Sequence, residues 1–134
     1  MSTPQVQVLQ GRRLPRTTPT LRRLGLVPTS ASPAHRAVLT IALYPSTPSS
    51  YIPRKVGRSV PPLLVPTATT PAKTLALLRQ LGTSSPGPFF AAGKAGQINA
   101  ALFAAACLAS AHPQIRRNLD SFRSRQTTSV PLQP

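Results

Sequence analysis

Gly93-Lys94-Ala95-Gly96-Gln97-Ile98-Asn99-Ala100-Ala101-Leu102-Phe103-Ala104-Ala105-Ala106-Cys107-Leu108-Ala109 is the stretch on which the reading of this chain turns. From Gln97 to Ala111 there is neither Pro nor Gly, and alanine has the best helix propensity of any residue. A helix is therefore predicted over that span, with Gly93 and Gly96 in the loop before it. It is apolar nearly all round. Such a helix is normally buried on most faces, so it calls for packing partners beyond those a short chain supplies alone. Its small alanines let neighbouring backbones come close.

Towards the C-terminus, Pro113 opens a second helix running to about Gln126, with Ile115, Leu119 and Phe122 spaced to form one apolar stripe. Its opposite face is basic. In the other direction, Thr70 can cap a helix that Pro71 begins and Gly82 closes, with Leu75, Leu78 and Leu81 recurring along it. Thr83-Ser84-Ser85-Pro86-Gly87-Pro88 then reads as a turn or loop.

Residues 1–70 differ in kind. They hold most of the 17 prolines and no acidic residue, and each proline removes a donor and biases the residue before it away from helix. Short extended pieces are expected at Gln5 to Leu9 and at Ala37 to Tyr44, where β-branched and apolar residues cluster. Leu21 to Val27, interrupted by Gly25, is expected to give at most one helical turn running into a turn or strand. The division expected is a basic, disordered Pro/Ser/Thr/Arg-rich segment over 1–70 and a helical segment over 71–134.

The chain has 134 residues, 16 Lys+Arg against one Asp+Glu and a formal charge of +15. One domain is the most that length accommodates. Apolar residues make up 40%, and with so much alanine among them the core is expected to be small. The only cysteine, Cys107, excludes a disulfide framework or a cysteine-based zinc site within one chain. The longest apolar stretch, Ala100 to Ala109, is about half of the ~20 residues that cross a bilayer. The only acid, Asp120, excludes catalysis by a carboxylate pair.

With Gly93 to Ala109 taken together with His112-Pro113, Ile115, Leu119, Phe122-Arg123, Gln126-Thr127 and Val130, the segment resembles the C-terminus of the class I 5-(carboxyamino)imidazole ribonucleotide mutases. These enzymes of purine biosynthesis are also called phosphoribosylaminoimidazole carboxylase catalytic subunits. The order and spacing of Gly, Asn-Ala-Ala-Leu, Ala-Ala, Leu-Ala, Phe-Arg and Gln-Thr fit without a gap over Gly93 to Val130, and a looser similarity runs back through Leu75 to Phe90. The resemblance implies a partial α/β, flavodoxin-like fold that keeps a C-terminal helical pair, with the N-terminal half largely irregular. It also implies carboxyl transfer on aminoimidazole ribonucleotide without a metal or organic cofactor. Homo-oligomers, or association with an intact family paralogue through the C-terminal helix, are the partners implied.

Upstream the family pattern is broken. Where the family has a Gly-Ser-x-Ser-Asp phosphate loop after its first strand, this chain has Gln10-Gly11-Arg12-Arg13. Ala34-His35-Arg36 matches the centre of the family's Ser-Ala-His-Arg-Thr substrate segment, although Pro33 interrupts the Ser and Ala37 replaces the Thr. His35 and Arg36 are accordingly the candidate catalytic residues, set against the simpler reading of a solvated basic loop. The segment bearing the family's proton-transfer His has no counterpart. Such a hybrid can arise as a frame-shifted or mis-spliced product, a degenerate paralogue, a fragment or a chance likeness. A shifted frame in GC-rich DNA also accounts for the missing acids. The function expected is that of the family, incomplete or inactive in this chain.

The alternative is a basic, disordered protein that binds nucleic acid or another polyanion, using Arg12, Arg13, Arg16, Arg22, Arg23, Arg54, Lys55 and Arg58. Few aromatic residues lie among them for base stacking. His112 reads as a helix-end residue, Cys107 as a packed small hydrophobe, and Gly93-Lys94-Ala95-Gly96 as a device that positions the following helix rather than a phosphate loop. No metal site is expected, and neither is a membrane span. A cytoplasmic location is expected, with organellar transit through the acid-free N-terminus as the alternative.

Overall fold

Residues 3–9, 11–29, 37–44, 62–68, 70–85 and 87–132 are described by the computed structural model. Four strands, β1 (Gln5–Leu9), β2 (Val27–Thr29), β3 (Ala37–Tyr44) and β4 (Leu63–Pro66), pair in parallel in the order β2-β1-β3-β4. Phe89 adds a parallel bridge to Leu64 on the outer side of β4. There the Leu64 N–H donates to the Pro88 carbonyl at 2.8 Å and the Phe90 N–H to the Leu64 carbonyl at 3.1 Å. This is an α/β, flavodoxin-like layout, whose strand order reverses direction between β1 and β3.

Both sheet faces are buried, and the strand sequences show why. In β3, Leu39, Ile41 and Leu43 join Val6 and Val8 of β1 and Leu63 and Val65 of β4 in the larger core, while Ala42 and Tyr44 join Leu64 and Leu9 on the other face. Gln7 and Thr40 are cross-strand partners, and the Thr40 hydroxyl donates to Gln7 Oε1 at 3.2 Å, which satisfies one buried polar group with another. All four residues of β4 are buried, as befits a strand with a neighbour on each side. Pro28 is tolerated in β2 because that strand is the edge of the described sheet.

The larger face is covered by α1 (Thr17–Arg23), α3 (Lys94–Leu108) and α4 (Pro113–Ser129), and the other by α2 (Pro71–Thr83), whose Leu81 packs with Ala42 and Leu64. Helix α1 begins four residues before Leu21 and is longer than the single turn expected. Pro19 lies in its first turn, where the backbone donors have no intrahelical partner, so the proline costs it no hydrogen bond. Gly25, at φ 84, ends it. The Gly25 N–H reaches the Arg22 carbonyl and the Leu26 N–H the Leu21 carbonyl, each at 3.0 Å, with Leu21 and Leu26 both buried.

Helix α2 starts as read: Thr70 Oγ1 accepts from the Lys73 N–H at 3.2 Å and Pro71 opens the first turn. Helix α4 buries Ile115, Leu119 and Phe122, the predicted stripe, and continues to Ser129. Helix α3 lies three residues earlier at both ends than the span Gln97 to Ala111. Gly96 therefore falls in its first turn and serves close packing: a Cβ there would sit 1.5 Å from the Ala91 carbonyl oxygen.

The buried side of α3 is Gly96, Gln97, Ala100, Ala101, Ala104 and Ala105. Phe103 stays 41% exposed, its ring edge-on to Phe90 at 5.6 Å. Cys107 is exposed as well. The expectation that it packs as a small hydrophobe is thereby corrected: it lies off the stripe that meets the sheet. Among the described residues no helix is long and apolar enough to cross a membrane.

Candidate functional site

In an open parallel sheet the strands deliver their following loops to one edge, and ligands bind there, next to the point where strand order reverses. Here that edge carries a cleft of about 560 Å³ lined by Arg13, Thr67, Thr74, Ala92, Gly93 and Gln97, among others. Each arrives by a different route. Arg13 belongs to the 3-10 turn Gly11–Arg13 that follows β1, Thr67 follows β4 directly, Thr74 is in the first turns of α2, and Gly93 and Gln97 frame the start of α3.

Two features fix the α3 end of the cleft. Gly93 has φ 83 and ψ −157, a region essentially restricted to glycine, so the chain can turn abruptly into the helix. Gln97 is buried and ties the helix to the loop ahead of α1. Its Oε1 accepts from the Arg16 N–H at 2.9 Å, and its backbone carbonyl accepts from the Thr17 hydroxyl at 3.0 Å.

Among the described lining residues the one charged side chain is Arg13. Arg12, Arg13 and Arg16 follow β1, Lys94 opens α3, and Lys73 lies in the first turn of α2, where its N–H meets the Thr70 cap. The sole acidic side chain, Asp120, lies on α4. The amino end of α3, with its positive partial charge, adds to this field. The arginine guanidinium offers only donors and the threonines offer hydroxyls, so the described lining suits an anion.

The candidate catalytic residues His35 and Arg36 lie outside the described residues, as do Arg54, Lys55 and Arg58. His112 does not approach the cleft. It precedes α4 and lines a smaller hollow of about 180 Å³ with Thr3, Pro4 and Gly25. Pro4 and Gly25 come just ahead of strands, so this hollow is at the opposite edge of the sheet. Cys107 lines neither cavity; it is exposed, and partial burial pushes its thiol above the ordinary range, which disfavours the thiolate a nucleophile needs. Among the described residues no group of three His, Cys, Asp or Glu side chains could hold a metal ion.

In the sequence Arg13 stands out as one of many cations and as part of the Gln10 to Arg13 run at the family's phosphate-loop position, and nothing assigns a role to Thr67, Thr74 or Gln97. No local pattern marks them, because the sheet brings them together from loops that lie up to about 80 residues apart in the sequence.

No family model matches the chain. Over 51 residues, 38% of its length, the chain is 43% identical to the N5-carboxyaminoimidazole ribonucleotide mutase of Pseudomonas aeruginosa, a stretch that amounts to 31% of that protein. The chain thus spans less than a third of the relative it matches, and over that part it is similar to an enzyme of the kind that the Gly93 to Val130 segment resembles.

Proposed function

We propose that the cleft at the carboxyl edge of the sheet binds a phosphate-bearing imidazole ribonucleotide of purine biosynthesis and that this chain holds the ligand without catalysing carboxyl transfer. The single observation that carries this reading is the composition of the cleft: a cationic Arg13, the hydroxyl-bearing Thr67 and Thr74, and the amino end of α3, with no acid or base among the described lining. Partial similarity to the Pseudomonas mutase supports the choice of ligand class. The non-catalytic part rests on the sequence, in which the family's proton-transfer segment is missing and Gly11-Arg12-Arg13 stands at its phosphate loop. Arg13 takes over the phosphate by a charge-assisted hydrogen bond.

Titration calorimetry with aminoimidazole ribonucleotide and with its dephosphorylated nucleoside tests the binding. The ribonucleotide should bind, the nucleoside should bind far more weakly, and Arg13→Ala should lose about 10–150-fold, the equivalent of one charged hydrogen bond of ~1.5–3 kcal/mol. Equal binding of nucleoside and nucleotide, or no effect of Arg13→Ala, sinks the assignment. Turnover of N5-carboxyaminoimidazole ribonucleotide that His35→Ala abolishes would instead make the chain an enzyme.

A further inference from the structure

Away from the cleft, α4 and the end of α1 form a second basic surface. Helix α4 is 17 residues long, about 25 Å at 1.5 Å per residue. It buries Ile115, Leu119 and Phe122 and exposes Arg116, Arg117, Arg123 and Arg125. At 100° per residue, Arg116 and Arg123 share one flank of the exposed arc, Arg125 takes the other flank and Arg117 lies between them. Asp120 is the one acid on this arc.

Helix α1 extends the second flank. Asn118, one turn before Phe122, donates from Nδ2 to the Leu24 carbonyl at 3.0 Å. The Arg23 guanidinium lies over the Phe122 ring, 5.1 Å from its centroid, so it is held against α4 with its neighbour Arg22 exposed beside it. Six arginines on a rigid two-helix platform thus face solvent against one carboxylate.

Three properties choose the partner. The apolar side of α4 is already spent on the core, so the helix has nothing to insert into a lipid bilayer, which amphipathic surface helices require. Phe122, the only aromatic residue on α1 or α4, is 5% exposed, so no ring is free to stack on unpaired bases. Cations on both flanks of one exposed helix match a groove with a phosphate wall on each side, and the major groove of B-form DNA is wide enough to admit a helix where that of A-form RNA is not. We propose that the exposed arc of α4, flanked by Arg22 and Arg23, docks in the major groove of double-stranded DNA through its phosphates, without base-specific contacts.

Fluorescence anisotropy with a labelled 20-base-pair mixed-sequence DNA duplex, titrated at several salt concentrations, tests this on the full chain. Engagement of all six arginines should make affinity fall about a thousandfold between 50 and 200 mM salt. The variant Arg117→Ala/Arg123→Ala/Arg125→Ala should lower the log–log salt slope by about 2.7, at ~0.9 per phosphate contact. Asp120→Asn should tighten binding, a direction that misfolding cannot imitate. Arg13→Ala should leave duplex affinity within twofold, which separates this surface from the cleft. An unchanged slope in the triple variant, weaker or equal binding by Asp120→Asn, preference for an RNA duplex or single strand, or equal variant-sensitive binding to phosphatidylserine vesicles would each overturn the proposal.

Discussion

Helices α3 and α4 are neighbours on the same sheet face, similar in length, and packed by opposite means. Helix α3 meets its surroundings through Gly96, Ala100, Ala101, Ala104 and Ala105, so its contribution comes from close backbone approach over many small contacts. Helix α4 meets them through three large side chains, Ile115, Leu119 and Phe122, and the rest of its surface is polar. The lesson is that one helix is limited by what it can admit and the other by what it can lose. Enlarging a residue harms α3, whereas truncating one harms α4.

The widest separation between the two should come from Phe122→Ala. Removing a buried ring typically costs ~3–5 kcal/mol, a large fraction of the ~5–15 kcal/mol that holds a domain together. Chemical denaturation should show the loss directly, and a change under ~1 kcal/mol would mean that α4 is not anchored by its stripe. Next in size is Gly96→Ala. The added methyl meets the Ala91 carbonyl oxygen, and overpacking of this kind costs ~1–3 kcal/mol. Its control is Gly82→Ala on exposed α2, where a Cβ meets nothing within 4 Å and the change should stabilise by ~0.5–1 kcal/mol. The same substitution is thus expected to have opposite signs at two helical glycines.

The smallest effect concerns the exposed side of α3. The Cys107 thiol is raised by desolvation, so burial favours its neutral form. The sign follows: its contribution to stability is fully present below the thiol's unfolded pKa and is lost as pH rises through the higher folded value. Alkylation by iodoacetamide at pH 8 should be slower for the folded chain than for the same chain in urea, where the normal thiolate fraction returns. Equal rates would show that the helix does not shield the sulfur.

Legibility in the sequence followed the range of the interactions. The cap at Thr70, the stripe of α4 and the strands Gln5–Leu9 and Ala37–Tyr44 rest on local patterns and were readable as such. Strand β4 was not, because Leu63-Leu64-Val65 is a short apolar run enclosed by prolines, and only its place between β3 and Phe89 makes it a strand. Helix α1 was understated for a similar reason: Thr17-Thr18-Pro19-Thr20 has poor helix propensity, and its burial against α3 outweighs that. Gly96 looked like a loop glycine, since close approach to Ala91 leaves no trace in the residues around it. The cleft was hidden entirely, being assembled by the sheet from unrelated loops.

The bonds at Gln97 bear on the order in which the chain can be completed. Arg16 and Thr17 emerge from a ribosome some 80 residues ahead of the side chain and carbonyl that secure them. At ~5–20 residues per second, that is a wait of about 4–16 s. Throughout that interval the first βαβ unit is unsealed on the side that α3 will cover, and its leucines are open to whatever binds nascent apolar chain. Synthesis as far as Gln97, rather than of the first strands alone, is what supplies the acceptors that secure Arg16 and Thr17.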